Sequence, residues 1–258
     1  MGKKKHQIVT SKQTTLEINL VKMKDMEFDD SLFIPIKTKT LADNILSSEG
    51  GLFPGTNTIV IGDPGVGKST ILLDWIANFH KQGKRVLFVS GEMNEIDMYG
   101  YVKRYPKFGD LPILFLANYN NTQLVIEKTF EEGFDCIMID SWAEVIGAVK
   151  EENGWTKGQA EKWLLTLMDK HNKSQNKKKI HTAFLCVQQM TKGGEFAGSN
   201  RIKHMTTAMI ELRFDGPGVD ALRFMEYTKN RRGGMQEPVY FSLTRGETVD
   251  YSFEMVNG

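Results

Sequence analysis

The sequence predicts an α/β fold, a mainly parallel twisted sheet flanked by helices and finished by a C-terminal antiparallel meander. Three observations predict it. From about residue 33 onward, apolar runs of strand length alternate with amphipathic segments of helix length. A glycine-rich segment joins one such strand directly to one such helix. The last three strand-length runs follow one another with no helical segment between them, the pattern of antiparallel neighbours.

Taken in order, residues 1–32 are polar, rich in charge and aperiodic; they are read as an arm or linker carrying one short strand around 16–21, ahead of a domain spanning 33–258. Strands are expected at 58–61, 86–90, 113–116, 136–139, 182–187, 208–214, 223–228 and 239–243. Helices are expected at about 68–82, 94–105, 121–132 and 157–173, the last with Ala160, Trp163, Leu164, Leu167 and Met168 at helical spacing. The sequences Asp215-Gly216-Pro217-Gly218 and Arg232-Gly233-Gly234 read as turns between the final strands. Segments 144–157 and 191–204 bear glycine and mixed charge and follow strand ends. Both are read as loops at the carboxyl edge of the sheet, where open α/β sheets bind ligands.

Composition narrows the function. The chain has 258 residues, 40% hydrophobic and 25% charged, which suits one large domain with a buried core. Lys and Arg number 33 against 32 for Asp and Glu, so no bulk positive field draws the chain to nucleic acid, and any such site must be local. The two cysteines, Cys136 and Cys186, sit within apolar runs and behave as small hydrophobes, leaving neither a zinc motif nor a disulfide framework to read. No run approaches the ~18 to 20 apolar residues that span a bilayer. The opening MGKKKHQ leads into polar residues, not into a signal core, and position 6 is His where a myristoylation pattern needs Ser or Thr. A cytoplasmic protein without membrane contact is expected.

The chemistry concentrates at Gly62-Asp63-Pro64-Gly65-Val66-Gly67-Lys68-Ser69, which matches G-x-x-x-x-G-K-[ST] without a gap, after the strand TIVI and before the helical run STILLDWIANF. Glycines let successive N–H groups turn inward around phosphate oxygens at the positive end of a helix. Lys68 would neutralise the β and γ phosphates of ATP, Ser69 would give its hydroxyl to Mg²⁺, and Thr70 completes the set. Asp140, closing the strand CIMID, is placed to hold Mg²⁺ through its water shell, the alternative being a strand-end Asp that caps a turn. Glu92, after the strand VLFVSG, is the candidate to orient or deprotonate the attacking water; the alternative is a surface glutamate.

The run GGLFPGTNTIVIGDPGVGKST, followed by RVLFVSGEM, DCIMIDS, FLCVQQMTKGG and TKNRRGG, resembles the RecA-like ATPases of the RecA/RadA/DnaB group and is most similar to the bacterial DNA-repair RadA (Sms) family, over about residues 33–250. The resemblance implies that Glu92 is the catalytic base and that Gln189 senses the γ-phosphate, with Gln188 able to share the role. RadA-like proteins usually have histidine there, whereas DnaB-like helicases and many recombinases have glutamine. It also implies that Lys229 and Arg231 reach the nucleotide of a neighbouring subunit in a ring or filament, so that hydrolysis waits for assembly. An always-charged guanidinium so placed is worth about 10³–10⁵ in rate; the alternative is a basic hairpin loop in solvent. A four-cysteine zinc motif ahead of the core and a Lon-like domain after it, both features of RadA, are absent from the sequence. In this it is similar to compact RecA-like recombination proteins of bacterial viruses.

Loops 144–157 and 191–204 occupy the positions of the group's two DNA-binding loops. Lys150, Lys157, Lys192, Arg201 and Lys203 would pair with phosphates of single-stranded DNA, and Trp155 and Phe196 would stack on its bases. The plain alternative is that these loops are solvated and that Trp155 packs on its own helix. The lysines of 173–179 read as a solvated helix end. Three functions are compatible with this reading: an oligomeric, single-stranded-DNA-dependent ATPase of recombination, repair or replication, a DnaB-like hexameric helicase motor, or a KaiC-like regulatory ATPase that binds proteins through the same loops.

Overall fold

Strands that are apolar at nearly every position are buried on both faces, and here they form the middle of the sheet. In a computed structural model that describes residues 22–189, 202, 206–216, 222–243 and 249–252, the strands β1 (Asn57–Gly62), β2 (Val86–Ser90), β3 (Ile113–Phe115), β4 (Cys136–Asp140) and β5 (Ala183–Val187) are parallel. Every residue of β2, β4 and β5 is buried. β6 (Ala208–Asp215) continues the parallel sheet beside β1, and β7 (Leu222–Asn230), β8 (Val239–Leu243) and β9 (Val249–Ser252) add to it in antiparallel fashion. The order across the nine-stranded sheet is β3-β2-β4-β5-β1-β6-β7-β8-β9. The expected parallel sheet with an antiparallel end is therefore present, with β9 as a strand the sequence did not suggest.

Helices cover both faces. α1 (Asp43–Leu46) and α2 (Lys68–Lys81) lie on one, with α3 (Glu95–Arg104) along it; α4 (Thr122–Phe130), α5 (Trp142–Asn153) and α6 (Lys157–Asn172) cover the other. The alternation of β1 shows how one strand serves two cores: Val60 packs with Leu72, Trp75 and Ile76 of α2, while Ile59 and Ile61 pack with Ile146, Leu164 and Met168 of α5 and α6. The order places β1 between β5 and β6, and the chain leaves it through α2 to reach β2, passing over two intervening strands, β5 and β4. That skip opens a crevice at the carboxyl end of β1.

One expectation is corrected. Most of 144–157 is not a loop: residues 142–153 form α5, begun by Ser141, whose side chain accepts from Glu144 N, and closed by Gly154 in the left-handed region at φ 63°. Trp142, Val145, Ile146 and Val149 recur at i, i+3, i+4 and i+7 and are buried, so the apolar face outweighs the helix-weakening Gly147 and the charged turn that follows. α6 then starts at a capping box in which Thr156 and Gln159 satisfy each other's backbone N–H groups.

The strand expected at 16–21, the arm's residues 1–21, most of segment 191–204 and Pro217-Gly218 lie outside the described residues.

Candidate nucleotide-binding site

The crevice is floored by the glycine-rich turn between β1 and α2. Gly62, Gly65 and Gly67 have φ of 145°, 77° and 106°, which only glycine adopts without strain. At Gly62 space is a second constraint: a Cβ there would stand 2.2 Å from the carbonyl oxygen of Leu212 on β6. The peptide can thus lie close to its neighbour and turn its N–H groups toward the crevice. Gly67 is the N-cap of α2, so the helix's unpaired amides and positive end open onto the same point.

Lys68, buried, donates from Nζ to the carbonyl oxygens of Gly62 at 2.8 Å and Asp63 at 2.9 Å. Burial lowers its ammonium below the ordinary lysine range, against the attraction of Asp140, Asp63 and Glu92. Asp140, at the end of β4 and 2% exposed, is pushed up to about 6 by burial, helped by the negative charge of Glu92 and opposed by the hydrogen bond with Ser69 and by Lys68. Its Oδ2 is buried and makes no hydrogen bond among the described residues. A buried carboxylate oxygen without a partner, beside a hydroxyl and facing a phosphate loop, fits a hard divalent cation. No group of three His, Cys, Asp or Glu side chains that could hold a metal occurs among the described residues, so Mg²⁺ would be held by Ser69 and Asp140 together with phosphate oxygens and water. That coordination is usual for this ion.

These residues line one cavity of roughly 490 Å³: Pro64, Gly65, Gly67, Lys68, Ser69 and Thr70 from the turn and helix, Asp140 from β4, and Glu92 and Gln189 from the segments after β2 and β5. Sequence reasoning left Gln188 and Gln189 open; the structure buries Gln188 and turns Gln189 to the cavity. Glu92 is exposed at the cavity rim, where it can reach a water above the phosphate end. Cationic loop, cation-binding carboxylate and rim carboxylate together can grip a triphosphate and place a water beside its terminal phosphorus.

Five further lining residues escaped the sequence reading: Tyr101, Arg104, Val187, Arg223 and Leu243. Arg223 had a signal, since it alternates with Met225 and Tyr227 on the core-facing side of β7, where a cation needs a reason.

Lys229 and Arg231 are not in this cavity. β6 pairs Ala208 with both Thr58 and Asn230, so the two cations sit level with the start of β1, four residue steps from Gly62 and roughly 13 Å along the strand. Lys229 Nζ donates to Thr206 O at 2.8 Å, and Arg231 N donates to Thr207 O at 3.0 Å. Burial and the adjacent Arg231 hold Lys229 below the ordinary lysine range. Of the expected DNA contacts, Lys150 is exposed on α5 and Lys157 is exposed at the start of α6. Trp155 is half-buried in a groove between α4 and α6 with Trp163. Lys192, Phe196, Arg201 and Lys203 lie outside the described residues.

No protein-family model matches the chain. Among proteins of known name, it is 29% identical over 195 residues to the DNA repair protein RadA of Campylobacter jejuni. It is 30% identical over 198 residues to that of Mycobacterium tuberculosis and 31% identical over 194 residues to that of Listeria monocytogenes. These alignments cover 76%, 75% and 75% of this chain but 42%, 39% and 40% of the relatives. The chain therefore spans about two fifths of their length. Among solved structures, it is similar to the KaiC-like protein PH0186 of Pyrococcus horikoshii, at a TM-score of 0.61 and 15% identity over 85% of this chain and 99% of that one. It is also similar to the flagellar accessory protein FlaH of Methanocaldococcus jannaschii, at 0.62 and 13% over the same shares. At such identity the likeness concerns the fold.

Proposed function

We propose, for a chain that carries a RecA-like fold and is related in sequence to the RadA proteins over three quarters of its length, that it hydrolyses ATP with Mg²⁺ in an oligomer and acts on single-stranded DNA in recombination, repair or replication. The observation that carries the ATPase part is the buried, unpartnered Oδ2 of Asp140 beside Ser69 and the glycine cradle. When bound, Mg²⁺ would draw charge from the β and γ phosphates. Lys68 would exchange its two carbonyl partners for phosphate oxygens, Glu92 would hold the attacking water and take its proton, and Gln189 would hydrogen-bond the γ-phosphate. Lys229 and Arg231, remote from their own cavity, suit a role at the cavity of an adjacent subunit, where they would stabilise charge in the transition state.

The DNA part rests on kinship to RadA, on the exposed Lys150 and Lys157, and on Lys192, Phe196, Arg201 and Lys203. ATP turnover with and without a single-stranded oligonucleotide at low salt tests it. Strong stimulation, fading as salt rises, is expected. Turnover indifferent to the oligonucleotide, with no binding of it, would leave the ATPase standing and replace the DNA role with a KaiC-like regulatory one. Gln189 at the cavity also keeps a DnaB-like helicase motor as a second reading, separated from the first by unwinding of a forked duplex.

A further inference from the structure

The geometry points to Arg223 as a nucleotide-binding residue supplied by the chain to its own cavity, holding the ribose and α-phosphate end of the ligand and not the end that is cleaved. This rests on the reading of the cavity as an ATP site.

Ser69, Asp140, Glu92 and Lys68 act on one another in the cavity, and Thr70 hydrogen-bonds Tyr101, which feels the charges of Asp140, Arg104 and Glu92. Arg104, Arg223 and Leu243 line the wall beside them. Registry puts Arg223 there: on β7 it pairs with Phe214 of β6 and Phe241 of β8. Phe241 and Leu243 stand against Gly67, at 3.7 Å and 2.6 Å from where its Cβ would be. The antiparallel end of the sheet thus forms a side wall for the first turn of α2. The charge of Arg223 is felt by Tyr105, alongside those of Arg104 and Asp74, whereas the charges acting on Lys68 are those of Asp140, Asp63 and Glu92 and those acting on Asp140 are those of Glu92 and Lys68.

Arg223 is poorly explained as packing. Its neighbours in register are Phe214 and Phe241, and its guanidinium carbon lies 5.2 Å from the centre of the Phe214 ring. Its Nε is buried and finds no acceptor among the described residues. A guanidinium set against an aromatic face with its buried Nε–H unpaired is a fixed donor group with one donor lacking an acceptor. An α-phosphate oxygen or a ribose hydroxyl supplies one, at the place where a triphosphate seated on Lys68 and Ser69 would continue past Thr70.

Arg223→Met keeps the length and apolar body of the side chain, and Arg223→Lys keeps the charge but not the fork. The measurement is the affinity of each for ATP and ADP, with melting curves to confirm folding and turnover as a function of ATP. Loss of one charge-assisted hydrogen bond predicts that both nucleotides weaken by about tenfold in Arg223→Met. KM should rise by a similar factor with a much smaller change in kcat, and Arg223→Lys should recover only part of the affinity. Unchanged affinities in a folded variant overturn the inference, as does a loss confined to ATP, which would put the group at the γ-phosphate. Lys68→Ala separates the two claims: if it abolishes binding while Arg223→Met does not weaken it, the ATP site stands and the role of Arg223 falls. If the unaltered protein binds neither nucleotide, both fall.

Discussion

At Asp140 function and stability oppose each other. Burial raises its carboxyl to about 6 from 3.8 in the unfolded chain, so the folded state holds the proton more tightly. The contribution of this group to stability is fully present below pH 3.8 and is lost as pH rises through about 6. At neutral pH the buried charge therefore costs on the order of 3 kcal/mol when no cation is bound. Asp140→Asn is expected to raise the melting temperature of the nucleotide-free protein at pH 7.5 by several degrees while removing Mg²⁺-dependent turnover. In the unaltered protein, turnover should fall as pH drops below about 6, because protons compete with Mg²⁺ for the same oxygen; calorimetry and a pH-rate profile read the two effects. Gly62 and Gly65 make a matched pair of tests. Gly62→Ala would force its new methyl to 2.2 Å from the carbonyl oxygen of Leu212 and should cost about 3 kcal/mol or more by denaturant midpoint. Gly65→Ala meets nothing within 4 Å and carries only its dihedral penalty of about 1 kcal/mol.

At the scale of elements, α2 links the phosphate loop to the far edge of the sheet. Asp74, buried one turn and a half into α2, pairs with Lys107 and accepts from Tyr251 of β9 at 3.1 Å. The Tyr251 hydroxyl also accepts from Trp75 Nε1 at 3.1 Å. Tyr251→Phe would leave Trp75 Nε1 and one Asp74 oxygen without this partner and should cost about 1–3 kcal/mol. Amide exchange should show the loss concentrated in β9 and β8. Strands and helices with one clear period were legible from sequence: α2, α3, α4, α6 and β1 to β8 lie within two residues of where alternation and spacing place them. α5 was not, although its apolar face has helical spacing, because Gly147 and the run Lys150-Glu151-Glu152-Asn153-Gly154 carry loop chemistry that burial overrides. β9 is four residues long and owes its place to Tyr251 and to pairing with β8, contacts that no local pattern encodes.

At the scale of the whole molecule, the phosphate loop was legible because its residues are contiguous, and Asp140 because it closes an apolar strand. The places of Arg223 and Leu243 at the cavity were not, since only the order β1-β6-β7-β8 brings the chain's last strands beside its first, although the alternation of Arg223 with core residues marked it as a cation in need of a partner. The same order sets Lys229 and Arg231 at the opposite edge of the sheet from the loop, so one chain cannot supply both halves of the proposed catalytic site. Specific turnover should therefore rise with protein concentration until assembly is complete and then level off, as followed by light scattering alongside phosphate release. The most direct measurement mixes two inactive variants, Lys68→Ala, which lacks the phosphate grip, and Arg231→Ala, which keeps it. In mixed assemblies a Lys68→Ala subunit can lend its Arg231 to the intact loop of its neighbour, so the mixture should turn over ATP well above the sum of the two proteins measured separately. A mixture no faster than that sum, under conditions where the two variants are seen to co-assemble, would contradict a site shared between subunits.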